Sequence, residues 1–146
     1  MDWHRAEAIV NACHEAWSTR DLDRMFRLYD PEAVYSCNSE EGAAAPVRYV
    51  GDAHRAFLTS LLDLIESVSV VEGFQFSGNT ARTTVGCYMK HYSTGIVLSG
   101  QYRQVYTFKD DKIIKLEEFH DAAKLATFWR LVTQTEAMLA DANRSV

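Results

Sequence analysis

From Trp3 to Trp17 the apolar side chains fall at Ala6, Ile9, Val10, Cys13 and Trp17, a three-and-four spacing that winds into one stripe of an amphipathic helix. Leu22, Met25, Phe26 and Tyr29 repeat that spacing after Asp21, and Pro31 ends it, which predicts a short second helix. The period drops to two over Val34 to Asn38, with Tyr35 and Cys37 on one side of a strand. Ser39 to Pro46 shows no period; acidic and then alanine-rich, it is expected to be a loop with the character of a mobile flap. After Gly51-Asp52 a third helix is expected from Ala53 to about Ile65, with Phe57, Leu58, Leu61, Leu62 and Ile65 on its inner stripe.

From Ser67 the pattern becomes four strands, roughly 67–76, 80–92, 96–108 and 112–120. Gly78-Asn79, Thr94-Gly95 and Asp110-Asp111 join them, and these residue pairs favour tight hairpin turns. Short connections make the sheet antiparallel, and Gly86 and Gly100 are the expected places for it to bend or bulge. A last helix begins at Asp121, which can cap it, and is expected to bury Leu125, Phe128, Trp129 and Val132. Helices followed by a curved meander define a single α+β domain over residues 1–146. Its expected form is a cone-shaped, strongly curved antiparallel sheet closed by three N-terminal helices, with one C-terminal helix, and such a cone encloses a pocket.

Composition narrows the function classes. A length of 146 residues, 47% of them hydrophobic and 24% charged, suits one domain with a proper core. A formal charge of −5 with no Lys/Arg-rich segment disfavours nucleic acid or an anionic membrane as the partner. Cys13, Cys37 and Cys87 are odd in number and spaced unlike a metal pair, so reduced thiols are expected. The five histidines form no H-E-x-x-H pair, and neither a metal nor a cofactor is expected. With no charged leader and no apolar stretch long enough to span a bilayer, the expected location is cytoplasmic.

The candidate chemistry lies in the last strand, Lys112 to Asp121. Alternation puts Ile114, Leu116, Glu118 and His120 on one face, and Ile113, Lys115, Glu117 and Phe119 on the other. The first face reads as interior, so Glu118 would be a carboxylate held among apolar groups beside an imidazole, and such groups have pKa values suited to acid/base work. Desolvation would raise the pKa of Glu118 and a protonated histidine would lower it, so the sign depends on which neighbour wins. On the same inner surface the adjoining strands contribute Tyr102, Gln104, Tyr106 and Phe108, then Val85, Cys87, Met89 and His91. Trp17 and Phe57 are expected to form floor or wall, and Tyr35 and Cys37 complete an aromatic, sparsely polar lining for a small hydrophobic organic ligand.

The segments Ala16-Trp17-Ser18-Thr19-Arg20-Asp21-Leu22-Asp23, Leu28 to Val34, Gly51 to Phe57 and Tyr106 to Ile114 together resemble the nuclear transport factor 2-like superfamily. Within it the chain is similar to SnoaL-like polyketide cyclases and ketosteroid-isomerase-like proteins. The resemblance implies the cone fold, but the superfamily hosts isomerases, cyclases, dehydratases, hydrolases and binding proteins. It places the steroid isomerase's basic aspartate on Cys37, its oxyanion-hole tyrosine on Cys13 and its protonated aspartate on Gln104. The last-strand aspartate of limonene epoxide hydrolases corresponds to Asp121. The acid/base glutamate of the phenazine-biosynthesis proteins corresponds to Glu118, while their third-helix histidine falls on Leu58, leaving His120 or His91 to replace it.

Two readings follow. The first is a small cofactor-independent enzyme that isomerises, cyclises or dehydrates a hydrophobic molecule by proton transfer. In it Glu118 moves the proton, His120 or His91 relays it, Asp121 is a further candidate, and Gln104 with Tyr102 or Tyr106 donates to a developing oxyanion. The second is a non-catalytic ligand-binding or dimerisation module. A homodimer is expected in either case, since Val105, Ile113 and Phe119 make the outer face of the last strands too apolar for solvent alone.

Overall fold

The computed structural model describes residues 1–39 and 42–144. The chain runs α1 (Trp3–Ser18), α2 (Leu22–Phe26), β1 (Tyr29–Cys37), β2 (Val47–Val50), α3 (Asp52–Leu64), β3 (Ile65–Ser77), β4 (Thr80–His91), β5 (Val97–Lys109), β6 (Lys112–Phe119) and α4 (Ala122–Arg144). Asp2 and Asp21 cap the first two helices, accepting from the backbone N–H of Arg5 and Arg24. Gly51 precedes α3 at a φ of 58°, and a side chain there would place Cβ 2.8 Å from the carbonyl oxygen of Pro31, so the turn into α3 requires glycine.

One six-stranded sheet, ordered β2-β1-β6-β5-β4-β3, carries everything else. β3 to β6 form the antiparallel meander, and Asp110 and Asp111 both take positive φ in its last turn. The sheet is not wholly antiparallel, because β1 returns beside β6 in parallel. β2, unanticipated in a segment too short to show a period, pairs with β1 at the edge. Residues 42–46 form turns and bends, while 40 and 41 lie outside the described residues, so the expected flap is described only in part.

The bends fall at other places than the two glycines. Gly86 and Gly100 keep regular register, and Gly86 instead makes room for the Glu72 carboxylate, which would overlap a Cβ. The register shifts lie between Val71 and Gly73 on β3 and opposite the Thr107–Phe108 step on β6. The second shift puts Ile114 out of step, so that Ile113 and Leu116 both point into the core, at 0% and 2% exposure. The expected faces are thereby corrected: Ile113 leaves the outer surface for the core, while Ile114 is only partly buried. Phe119 is exposed on the convex face, where Val68, Val70, Tyr88 and Val97 extend the apolar surface.

α1 lies in the concavity with Ala6, Ile9, Val10, Cys13 and Ala16 inward, packed with Tyr35, Tyr106, Phe108, Ile113 and Leu116 of the sheet. Trp17 closes this layer and donates from Nε1 to Ser67 Oγ at 2.9 Å. Replacing it with Ala should cost about 3–5 kcal/mol by emptying that volume, whereas Trp17→Phe keeps most of the packing and should cost about 1–2 kcal/mol. Urea unfolding of both variants measures the difference, and equal stabilities would contradict it.

Candidate functional site

The concave face and the helices enclose a cavity of about 380 Å³. Trp17 and Phe57 reach it from the helices, Tyr35 and Cys37 from β1, Met89 from β4, and Tyr102, Gln104 and Tyr106 from β5. Glu118 and His120 enter from the end of β6, their side chains 13% and 21% exposed. Ladder register brings the polar groups into one row: Cys37 is level with Glu118, Glu118 with Gln104, and Gln104 with Thr83.

Glu118 is the centre of that row. Its Oε1 accepts from Tyr35 Oη at 2.7 Å and lies 3.3 Å from His120 Nε2, and its Oε2 accepts from Gln104 Nε2 at 2.7 Å. Burial pushes its carboxyl up, but the His120 hydrogen bond and charge, joined by the Tyr35 and Gln104 donors, prevail and hold it at about 2. Burial disfavours the charged form of His120, yet hydrogen bonds to Cys37 and Glu118 and their charges raise it to about 10. The neighbouring cation therefore wins, and at neutral pH the pair is carboxylate and imidazolium. Tyr102 stacks on the His120 ring at 4.3 Å and fixes its plane. Asn38 clamps the same turn, donating to the His120 carbonyl at 3.0 Å and accepting from its N–H at 2.6 Å.

Donor atoms of Cys37, Glu118 and His120 all lie within 4.8 Å of one another, the grouping a metal ion would use. Glu118 Oε1 and His120 Nε2 face each other directly at 3.3 Å, so an ion at this grouping would have to displace the proton between them.

Behind Glu118 lies a second polar group. Because Gln104 gives its N–H to the carboxylate, its Oε1 is an acceptor, and it receives Tyr106 Oη at 3.0 Å, Thr83 Oγ1 at 3.3 Å and His14 Nε2 at 2.8 Å. The His14 proton is thus on Nε2, and Nδ1 accepts from Ser69 Oγ at 2.7 Å. Burial lowers the His14 pKa against the opposing pull of Gln104 and Glu118, so the ring is neutral. Gln104 and Tyr106 are consumed by this network, which removes them from the oxyanion-donor role expected of them.

His54 was not anticipated. It is 2% exposed, stacks on Tyr35 at 4.2 Å with 9° between planes, and lines the cavity. Burial lowers its pKa to about 4, against the pull of Glu118. The family resemblance pointed to Leu58 for a third-helix histidine, and α3 supplies one a turn earlier. The available signal was the stripe itself, since Leu58 and Leu62 extended back one turn reach His54, and Val10 extended forward one turn reaches His14.

Two expected candidates sit elsewhere. His91 pairs with Ile65, eight residues along β4 from Thr83, which is level with Gln104 beside Glu118. That is roughly 26 Å of strand, too far to serve Glu118. It bonds instead to Thr94 Oγ1 at 2.9 Å, lies 3.6 Å from Glu136 Oε1 and meets Trp129 edge-on. Asp121 caps α4, accepting from the Lys124 N–H at 3.1 Å, outside the main cavity.

The family of the SnoaL-like domain matches residues 10–116. No curated protein matches the sequence. Among solved structures, an NTF2-like protein of unknown function from Burkholderia pseudomallei superposes with a TM-score of 0.75 at 18% identity, over 88% of this chain and 98% of that one. IdmH from Streptomyces antibioticus, a candidate polyketide cyclase, gives 0.72 at 14% identity over 84% and 96%. TerC, co-crystallised with polyporic acid, gives 0.72 at 15% identity over 85% and 96%. At these identities the likeness is one of fold.

The titrations have opposite signs. Glu118, depressed to about 2 from 4.5, adds stability that is complete above pH 4.5 and lost as pH falls towards 2. His120, raised to about 10 from 6.5, adds stability that is complete below pH 6.5 and lost as pH rises towards 10. His54, depressed to about 4 from 6.5, destabilises the fold as pH falls from 6.5 towards 4. Thermal unfolding should therefore peak near pH 6.5, and Glu118→Gln, which removes the partner of His120, should flatten the alkaline limb. An alkaline limb unchanged in that variant would contradict the ion pair.

Proposed function

The chain belongs to the SnoaL-like family, and from that premise we propose a small enzyme that moves a proton on a hydrophobic organic molecule, as an isomerase, cyclase or dehydratase. The carrying observation is the Glu118–His120 pair at 3.3 Å, open to an otherwise largely apolar cavity of about 380 Å³. A proton acidified by a neighbouring carbonyl passes to the Glu118 carboxylate while the His120 imidazolium donates to the developing enolate oxygen. Once Glu118 has taken the proton, the imidazolium charge is matched by that of the enolate, so no isolated charge is left in a low-dielectric space. This proton inventory lies wholly in the protein's own residues. Polyporic acid in TerC and the cyclase assignment of IdmH support a flat, oxygenated ligand of this kind.

The second reading, a binding module without turnover, draws on one observation: Gln104 and Tyr106 are occupied by their own network and offer no separate oxyanion hole. Deuterium incorporation in D2O, followed by NMR over a panel of aromatic and alicyclic ketones, separates the two. The enzyme exchanges the proton next to the carbonyl in at least one of them, and Glu118→Gln should reduce that rate at least a hundredfold while remaining folded. A ketone that binds without exchange, or a Glu118→Gln variant as fast as the parent, counts for the module.

We also propose a homodimer through the convex face, where Val68, Val70, Tyr88, Val97 and Phe119 lie exposed. The contact should bury roughly 1,200–2,000 Å² in total. Light scattering at micromolar concentration should return about 33 kDa, twice the chain mass of 16.6 kDa, and a value near the chain mass would refute the dimer.

A further inference from the structure

Three thiols of one chain sit in three electrostatic settings. Cys13 is 2% exposed on α1, where burial alone pushes it up to about 12. Cys87 is the most exposed of the three and also lines the cavity, but burial still raises its thiol against the pull of Lys124. Cys37 is 5% exposed, lines the same cavity, and has its Sγ within 4.8 Å of both the Glu118 carboxylate and the His120 ring. Of the three it is the one whose Sγ lies beside the His120 ring, a group placed to hand a proton to the product of a thiol addition. The ring of His54 points independently to an electrophilic ligand. It is stacked on Tyr35, two residues before Cys37 on the same face of β1, with no hydrogen bond from its nitrogens among the described residues. Neutral, 2% exposed and facing the cavity, it has an N–H to give to the carbonyl oxygen of a ligand held there.

We propose that Cys37 adds covalently and reversibly to α,β-unsaturated carbonyl compounds, enones or quinones, bound in the cavity. This rests on the reading of the cavity as a site for an organic ligand, and not on Glu118 as the base. The Cys37 sulfur lone pair forms a bond to the β-carbon, the C=C π pair moves to the carbonyl oxygen as an enolate, and His54 donates a hydrogen bond to that oxygen. The Cys37 S–H proton leaves to solvent as the sulfur bonds, and His120 then delivers its own proton to the α-carbon and takes another from solvent, so the net change is addition of S–H across the double bond, with no oxidant or reductant. Reversal expels the thiolate. While the adduct lasts, the former double bond is single and free to rotate.

The test uses N-ethylmaleimide, itself an α,β-unsaturated carbonyl, at one equivalent and pH 6.5, followed by intact mass and peptide mapping over time. Cys37 should label first, at least tenfold faster than the more exposed Cys87, with Cys13 unlabelled, and His120→Gln should slow Cys37 at least tenfold. Labelling of Cys87 first, or a Cys37 rate indifferent to a folded His120→Gln, overturns the proposal. The order among the three wild-type thiols needs no variant, so a misfolded substitution cannot rescue it. Labelling is read without turnover. A protein that labels at Cys37 but exchanges no ketone proton fails the acid–base reading alone, and one that exchanges protons but labels first at Cys87 fails this one alone.

Discussion

A carboxylate turned into the hollow of a curved sheet has to be matched by donors and by charge, and the interior of this protein is arranged around that requirement at Glu118. Tyr35, Gln104 and His120 satisfy it from β1, β5 and the end of β6. Each is placed by something else in turn: Tyr35 by its stack on His54, Gln104 by His14, Tyr106 and Thr83, and His120 by Tyr102 and the Asn38 clamp. Removing one member leaves a buried polar atom without its partner, which costs more than the bond itself contributes. The network therefore makes the geometry of the site a condition of its stability.

That arrangement separates two kinds of histidine. His120 faces a carboxylate and is held charged, whereas burial holds His14 and His54 uncharged against the pull of Glu118. One cavity thus offers an imidazolium, two neutral imidazoles and a carboxylate, poised apart by environment alone. Groups with pKa values pushed in opposite directions are the usual basis on which one site divides acid from base duties. Cys37 takes its character from the same pair, since it sits level with Glu118 across the parallel β1–β6 ladder.

The bulge on β6 is the small structural event that makes this possible. Without the extra residue at Ile114, strict alternation would set Ile113 opposite to Leu116 and Glu118. With it, Ile113 seals the core at the base of the strand while Glu118 still reaches the cavity at its end. The strand can then be both a core element and a platform for charge.

How far the sequence reached depends on which interactions are local. Helical stripes, the four-strand meander and its turns at Gly78, Gly95 and Asp110-Asp111 are written in periodicity and φ preferences, so they were legible, as was Glu118 on the inward face of β6. β2 was too short to show a period, and the bulge left no glycine to mark it. The membership of the site was decided only by tertiary structure. His91 looked equivalent to His120 by alternation, yet ladder register carries it roughly 26 Å along β4 from the row of Glu118. Cys37 met the His120 ring, and His14 and His54 met Gln104 and Tyr35, across separations far longer than any local period. Sequence by itself determined the inward faces wherever the local period runs unbroken, because burial of apolar side chains follows it; the side that Ile113 takes across the β6 bulge, and which polar groups share the interior, depended on strand register and helix docking, which no local pattern encodes.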